Sequence, residues 1–235
     1  MFPRSRLSPR QRAIVSGIVN RAWGWLVRTA VVAPDDVRGA RYGRLGEGSC
    51  IAFPPGAVIG EPWIAIGAAT LVGPNVSLAA GLPGERIDPS CGPIVVIGDR
   101  CNIGRGSSIN GRLQIVIEDD VTTGPNVYVT DHNHRYDNLD LPIGQQWVTE
   151  APVRIGAGSW LATGVVVLPG ADIGRHVTVA AGSVVRGTIP DYSVIAGAPA
   201  KVVRRYIEGE GWTPPVAEPS EPIPPGWPGS PEAAT

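Results

Sequence analysis

The chain has 235 residues, of which 31 are glycine and 24 are proline, and only 17% are charged while 43% are hydrophobic. The formal net charge of −1 argues against a nucleic-acid partner, which favours a basic surface, and no apolar run reaches the roughly 18 residues that a membrane span needs. Cys50, Cys91 and Cys101 have no spacing typical of metal ligands or of a disulfide scaffold, so we expect free thiols in a reducing, cytoplasmic compartment.

The first predicted element is a basic amphipathic helix within residues 1–34. Apolar residues recur at helical spacing from Pro9 to Ala30, and six arginines precede the first acidic residue, Asp35. Such a helix can lie on an anionic membrane surface as a peripheral contact. It can also cap the domain that follows or pack on a neighbouring subunit, and we favour this second interpretation.

The central part of the chain repeats every six residues. One aliphatic or β-branched residue marks each hexad, at Ile66, Val72 and Leu78, at Ile97, Ile103 and Ile109, at Ile117, Thr123 and Val129, and at Ile155, Leu161, Val167, Ile173, Val179 and Val185. A helix repeats at 3.6 residues and a half-buried strand at 2, so neither explains a sustained period of six. A short strand followed by a glycine-rich corner does, because three such strands close a triangular coil and the coils stack about 4.8 Å apart. We therefore predict an all-β parallel β-helix solenoid over residues 35–207, rather than a β-sandwich with accidental spacing.

Two segments interrupt this period and are expected to leave the solenoid as loops. They run from Gly81 to Pro93 and from Asp131 to Pro152, and the phase also shifts by two residues before Ile117. Functional residues concentrate on loops that leave a rigid scaffold, so we expect the site there.

The second loop contains two of the three histidines, His132 and His134. Histidine is the natural general base near neutral pH, and Asp131 and Asp137 are candidate partners that would orient an imidazole. The alternatives are a polar loop with exposed histidines or a Zn²⁺ or Ca²⁺ site. The spacing matches no recurrent zinc pattern, so we predict no metal. The third histidine, His176, occupies a flat-face position of a regular hexad and is interpreted as structural.

The C-terminal segment is rich in proline. Eight prolines follow Thr213, mixed with glutamate, serine and glycine. Such a segment buries too little apolar surface to offset its ordering entropy, so residues 208–235 are predicted to form a disordered tail.

The hexads and the histidine loop resemble the left-handed parallel β-helix acyltransferases that are built from hexapeptide repeats. The similarity covers roughly residues 51–205 and is closest to sugar O-acetyltransferases of the galactoside and maltose type and of polysaccharide biosynthesis. The motifs that carry it are Thr130-Asp131-His132, Arg154-Ile155-Gly156 with Trp160, Leu168 to Gly174, Ala180 to Val185, and Ile195 to Arg204. Left-handedness is implied by this resemblance alone, since parallel crossovers are otherwise right-handed.

The resemblance implies a homotrimer whose grooves between adjacent subunits hold acetyl-CoA and a sugar or glycan-precursor acceptor. It assigns general-base catalysis to His132, with His134 as a secondary candidate and Asn110 as a contact to acceptor and thioester. The loop residues Leu139, Leu141, Ile143 and Trp147 are expected to shape the acceptor pocket. Acetyl-CoA contacts are implied for Trp160, Thr163, Ala181, Arg186, Lys201 and Arg204.

Two other functions fit the same scaffold. One is N-acylation of an amino sugar on a nucleotide carrier, and the other is a non-catalytic solenoid that serves as a rigid interaction module. The sequence does not identify the acceptor.

Overall fold

The computed structural model describes residues 7–215. Arg4, Arg6 and residues 216–235 of the predicted tail lie outside the described residues.

One α-helix, α1 (Pro9–Thr29), precedes the strands. In chain order, the strands of the described part are β1 (Arg44–Leu45), β2 (Cys50–Ile51), β3 (Val58–Ile59), β4 (Ile64–Ile66), β5 (Leu71–Val72), β6 (Ser77–Ala80), β7 (Val95–Ile97), β8 (Asn102–Ile103), β9 (Ser108–Gly111), β10 (Ile115–Ile117), β11 (Thr122–Thr123), β12 (Tyr128–Thr130), β13 (His132–His134), β14 (Val148–Glu150), β15 (Val153–Ile155), β16 (Trp160–Leu161), β17 (Val166–Val167), β18 (Asp172–Ile173), β19 (Thr178–Val179), β20 (Val184–Val185), β21 (Thr188–Ile189), β22 (Ser193–Gly197), β23 (Ala200–Ile207) and β24 (Gly211–Thr213). Short 3-10 turns cover Gly39–Arg41, Glu61–Trp63, Pro89–Cys91 and Ile143–Gln145.

The strands form three parallel sheets, and each coil contributes one strand to each sheet. The first sheet has the order β1-β4-β7-β10-β15-β18-β21, the second contains β2-β5-β8-β11-β16-β19-β22, and the third has the order β3-β6-β9-β12-β17-β20. Pairing is parallel and in register along each sheet, as in Ile97 to Ile117 and Ile117 to Ile155. The chain is therefore a parallel β-helix, and the period of six corresponds to one strand and one corner.

The hexad residues form the core of the solenoid. Every aliphatic hexad residue that the sequence analysis named is at most 1% exposed, and Thr123 is 5% exposed. The position four residues further on is also buried, at Ser159, Val165, Ala171, Val177 and Ser183. Where that position is polar it is satisfied by the backbone, because the Ser159 hydroxyl donates to the Gly174 carbonyl and accepts from the Val177 N–H. Stability thus comes from coil-on-coil stacking of the same buried column.

Helix α1 matches the predicted helix closely. Ser8 caps it with a capping box in which the Ser8 and Gln11 side chains each accept the other's backbone N–H. None of its residues is buried, and the Trp23 ring meets the Phe53 ring edge-on at 6.2 Å between centroids. Within the described residues, no helix has the length and apolar character that crossing a membrane requires.

A second compact unit begins at Arg204. In it, the end of β23 pairs antiparallel with β24, and the Tyr206 and Trp212 rings meet edge-on. The hairpin reaches Thr213, past the predicted boundary at residue 207, and two aromatic rings pack across it. The division into residues 1–34, 35–207 and 208–235 otherwise stays a prediction.

The buried columns give a direct stability test with two leucines. Leu161→Ala removes a fully buried side chain from the core and is expected to lower the free energy of unfolding by about 2–5 kcal/mol. Leu71→Ala removes a side chain that is 42% exposed on the outer face of the same sheet, and should cost less than about 1 kcal/mol. Urea unfolding followed by circular dichroism measures both, and equal losses would contradict the solenoid core.

Candidate functional site

Extra residues accumulate at one corner of the solenoid in four successive coils. This corner, where the chain passes from the third sheet to the first, holds residues 60–63 between β3 and β4, 81–94 between β6 and β7, 112–114 between β9 and β10, and 131–152 between β12 and β15. We call it the expanded corner. The two loops predicted from the sequence and the two-residue phase shift therefore lie one above another, because they occupy equivalent places in stacked coils.

The phase shift creates a binding site for the Asp131 carboxylate. Asp131 is fully buried, and its two oxygens accept hydrogen bonds of 2.8–2.9 Å from the backbone N–H groups of Arg112, Leu113 and Gln114. These are three consecutive donors of the coil below. Bonds from N–H groups to a charged acceptor are stronger than neutral ones, so Asp131 is fixed in one orientation.

The fixed carboxylate in turn orients His132. Nδ1 of His132 lies 2.9 Å from Oδ1 of Asp131, and the His132 side chain is 17% exposed. An ionised carboxylate only accepts hydrogen bonds, so Nδ1 is assigned as the donor and Nε2 of the neutral ring carries the free lone pair. Thr130 restrains the same turn through a 3.1 Å bond from its hydroxyl to the His132 carbonyl. The arrangement presents a partly exposed imidazole as a proton acceptor.

The loop after His132 is a hairpin with its own internal ties. β13 and β14 pair antiparallel, and His132 lies opposite Glu150. Gln146 is buried and stabilises the tip of the hairpin. Its Oε1 accepts a hydrogen bond from the Asn138 N–H, and its Nε2 donates to the carbonyls of Asn138 and Leu141. A cavity of about 300 Å³ opens at this tip, lined by residues that include Arg135, Asn138, Leu141, Gln146 and Trp147.

Arg112 connects the two loops of the expanded corner. Its guanidinium pairs with Glu85 of the first loop at 2.8 Å and with Glu150 of the second, and lies 4.8 Å from the centroid of the Trp147 ring. Burial disfavours the charge of Arg112, but hydrogen bonds and charge interactions with Glu150 and Glu85 outweigh burial and raise its pKa.

The predicted catalytic residues differ in how the structure places them. Of the two predicted orienting acids, Asp131 contacts His132, whereas Asp137 bonds Arg135 in an exposed ion pair whose hydrogen bonds lower the pKa of Asp137. Asp137 is thus not an orienting residue. His134 is exposed, and the acceptor nearest its Nδ1 is the Gln146 carbonyl at 3.5 Å.

Asn110 lies next to the histidine strand. Asn110 pairs directly with Thr130 of the next coil in the third sheet, and Thr130 precedes His132 by two residues. Its side chain is half-buried and hydrogen-bonds Ser108. The structure therefore brings Asn110 and His132 into one neighbourhood.

Four of the residues predicted to contact acetyl-CoA divide between two places in the chain. Trp160 is half-exposed on the second sheet, and Thr163 and Ala181 occupy the same position in successive coils at the corner between the second and third sheets, joined by the bond from the Gly182 N–H to the Thr163 carbonyl. Arg186 is exposed after β20, on the opposite edge of the third sheet, where the expanded corner also lies.

The remaining predicted cationic contacts lie near the C-terminal end. Lys201 is exposed on β23. Arg204 is half-buried on the same strand, where the second unit begins. Within residues 7–215, no group of three histidine, cysteine, aspartate or glutamate side chains is arranged to hold a metal ion.

Sequence reasoning missed Arg112, Glu85, Glu150 and Gln146. The available signal was the two-residue phase shift, which lies at 112–114 and marks the corner that binds Asp131. The free state of all three cysteines was predicted correctly, and burial raises the pKa of the Cys101 thiol.

Comparison with known proteins extends these observations. The family model described as bacterial transferase hexapeptide (six repeats) matches residues 152–187. A probable acetyltransferase of Mycobacterium tuberculosis, Rv3034c, is 46% identical over 107 residues, which are 46% of this chain and 36% of that protein. The putative lipopolysaccharide biosynthesis O-acetyl transferase WbbJ of Escherichia coli K12 is 33% identical over 141 residues, covering 57% of this chain and 70% of WbbJ.

Solved structures also share the fold. A mutant of AntD, an N-acyltransferase from Bacillus cereus in complex with dTDP and coenzyme A, superposes with a TM-score of 0.62 at 15% identity, covering 76% of this chain and 91% of AntD. The predicted all-β, left-handed parallel β-helix is confirmed by the hexapeptide match and the stacked parallel sheets. This chain spans about a third of the Mycobacterium relative and about two thirds of WbbJ.

The buried carboxylate is testable by two matched substitutions. Asp131→Asn replaces one acceptor oxygen with an N–H₂ group facing backbone donors, and we expect it to lower the free energy of unfolding by about 2 kcal/mol or more. Asp137→Asn alters an exposed carboxylate and is expected to change it little. Urea denaturation compares the two. Equal stability of Asp131→Asn and the unmodified protein would contradict the carboxylate site.

Proposed function

This chain belongs to the hexapeptide-repeat acyltransferase family, and on that premise we propose that it transfers an acetyl group from acetyl-CoA to a hydroxyl group of a sugar or polysaccharide precursor. The observation that carries the proposal is the His132 ring, held through Nδ1 by a buried carboxylate that three backbone N–H groups fix. WbbJ, the relative aligned over most of its length, is described as an O-acetyl transferase of lipopolysaccharide biosynthesis.

His132 acts as the general base in this proposal. Nε2 takes the proton of the acceptor hydroxyl while the oxygen attacks the thioester carbonyl of acetyl-CoA in a ternary complex. The C–S bond then breaks, and the departing thiolate takes the proton from the imidazolium, which leaves an acetyl ester and CoA. Asp131 stabilises the transient imidazolium and keeps the tautomer correct, and such base assistance contributes about 10²–10⁴-fold to a rate.

The other predicted catalytic residues take supporting roles. Asn110 is proposed to contact the acceptor and the thioester, since it lies one coil from Thr130. His134 is proposed to line the acceptor side of the hairpin with Leu139, Leu141, Ile143 and Trp147, which are all exposed. Among the described residues, no carboxylate orients His134, so it stays the secondary candidate.

Acetyl-CoA is proposed to bind between protomers of a homotrimer. In one coil, Pro125 and Asp131 mark the two edges of the third sheet, and at about 3.3 Å per residue they lie up to roughly 20 Å apart. Thr163 and Ala181 lie along the Pro125 edge, Trp160 lies on the adjacent second sheet, and His132 lies beyond the other edge. A neighbouring protomer would bring its Thr163 edge to this histidine, with Arg186, Lys201 and Arg204 proposed to meet cofactor phosphates or the pantetheine arm.

N-acylation is the second candidate function. AntD, whose fold this chain shares, is an N-acyltransferase seen with dTDP and coenzyme A. The likeness is limited to the fold, and the relatives with substantial sequence identity are described as acetyltransferases, one of them an O-acetyl transferase. A hydroxyl acceptor is therefore preferred over the amine of a nucleotide-linked sugar. A cytoplasmic location and a peripheral membrane contact of α1 stay predictions.

The two neighbouring histidines provide the central test. His132→Ala is expected to lower the rate of acetyl transfer by about 10²–10⁴-fold, whereas His134→Ala should lower it by less than about tenfold. The measurement is CoA release from acetyl-CoA across a panel of sugars, oligosaccharides and nucleotide-linked amino sugars, with thermal melting as the check on folding.

Three results of this assay would contradict parts of the proposal. Full activity in His132→Ala would remove the general-base role. Stimulation by amino sugars alone would favour N-acylation. No acceptor-dependent release from any compound in the unmodified protein would favour the non-catalytic interaction module.

Lys201, the single lysine in the sequence, tests the cofactor assignment. Lys201→Ala is expected to weaken CoA binding by about three- to tenfold, because it removes one cation from the proposed phosphate contact. The same substitution should weaken the binding of dephospho-CoA by a smaller factor. Arg44→Ala, which removes an exposed arginine on β1, should leave CoA binding unchanged. Calorimetric titration measures these affinities, and equal CoA affinity in Lys201→Ala would remove this contact.

A further inference from the structure

We propose that Arg112 is a positioning residue of this site, which sets both the protonation of His132 and the placement of the acceptor hairpin. The inference rests on the proposed role of His132 as the general base. Arg112 reaches neither the reacting atoms nor the cofactor in this proposal, and it acts through Asp131, Glu150 and Trp147.

The backbone and the side chain of Arg112 serve the site in two separate ways. Its N–H donates to both oxygens of Asp131 at 2.9 Å, so the residue is part of the corner that fixes the orienting carboxylate. Its guanidinium binds Glu85 and Glu150, one from each loop of the expanded corner. Any movement of either loop therefore acts on the residue that holds Asp131.

The guanidinium is kept in place against an energetic cost. The Arg112 side chain is 15% exposed, and its Nε is buried without a hydrogen-bond partner among the described residues. An unsatisfied buried donor is unusual in a native structure and destabilising. An exposed arginine would be enough to form ion pairs with Glu85 and Glu150. The burial of Arg112 therefore favours a role in the site.

Glu150 is the acid that connects the charge of Arg112 to His132. The two residues are directly opposite in the β13–β14 ladder, where facing Cβ atoms lie about 4.5–5.5 Å apart. The titratable groups nearest to His132 are Asp131, which is bonded to its Nδ1, Glu150, which is paired with it across the hairpin, and His134, two residues along the same strand. The Arg112 guanidinium binds Glu150 and Glu85. Arg112 neutralises Glu150, so the acid does not stabilise the imidazolium.

Loss of the Arg112 charge has one direction of effect on the base. An unpaired Glu150 carboxylate favours the protonated ring, and removal of the arginine also removes a repulsion against it. Both changes raise the pH at which His132 protonates. Less of the ring is then in its neutral, basic form at pH 7.

Trp147 links Arg112 to the acceptor. The guanidinium stacks on this ring, which also lines the cavity at the hairpin tip. A planar guanidinium can stack flat on an aromatic face while its fork of N–H donors binds carboxylates, whereas an ammonium group has no planar face to stack. Arginine is therefore required at this position for placing the hairpin, and lysine would retain only the charge.

The test compares Arg112→Met with Arg100→Met, which removes an exposed arginine that also pairs with two acids, Asp119 and Asp120. Arg112→Met is expected to lower kcat/KM at pH 7 at least tenfold and to move the acid limb of its pH profile upward by about half a unit or more. Arg112→Met with Glu150→Gln should return the limb to its original place. Arg100→Met should leave the profile unchanged.

A second measurement separates this inference from the proposed function. The His132 ring is titrated by NMR in the unmodified protein and in Arg112→Met, with His132→Ala used to assign the signal among the three histidines. A His132 titration midpoint that is higher in Arg112→Met than in the unmodified protein supports the inference even if acetyl transfer is absent. If neither the titration midpoint nor the acceptor KM changes in Arg112→Met, the inference is overturned. Arg112→Lys, which retains the charge, should keep the titration while raising the acceptor KM, and it serves if Arg112→Met does not fold.

Discussion

The burial of one carboxylate is the constraint on which the site depends. Asp131 has no access to solvent, and an isolated ionised carboxylate is very costly in such a place. The cost is offset because three consecutive backbone N–H groups and one imidazole N–H surround it. The same arrangement fixes the tautomer of His132, so one set of hydrogen bonds meets both the folding requirement of Asp131 and the chemical requirement of the proposed base.

The solenoid explains why this arrangement lies at a corner. Strands are held in register by neighbours on both sides and by a buried hexad residue, so an insertion within a strand would disrupt the stack. A corner can lengthen without that cost, because its backbone leaves the sheets. Four successive coils lengthen at the same corner, and side chains from separate parts of the sequence, Glu85, Arg112 and Glu150, consequently meet there.

The sequence predicts the scaffold well and the site in part. A strict six-residue period at Ile155, Leu161 and Val167 reports coil geometry directly, because each hexad residue must face the same core. The Asp131–His132 contact could also be predicted, since neighbouring residues in a turn can form a hydrogen bond. The role of Arg112 could not be predicted, because its partners Glu85 and Glu150 are distant in sequence. These residues meet only through the stacking of coils, which a local sequence pattern does not encode. The error at Asp137 has a different, local cause, because Arg135, two residues before it, pairs with this carboxylate.

The placement of the predicted cofactor residues carries the argument from one protomer to an assembly. Thr163 and Ala181 lie along one edge of the third sheet, and His132 lies beyond the other, with the sheet between them. A thioester held along the Thr163 edge of the same protomer would have to cross the outer face of that sheet to reach the imidazole. Side-by-side packing of identical rods removes this separation, because the His132 edge of one rod can face the Thr163 edge of the next. The proposed homotrimer is a closed ring that uses every edge once, so the division of the proposed site between two edges favours the proposed assembly over a working monomer.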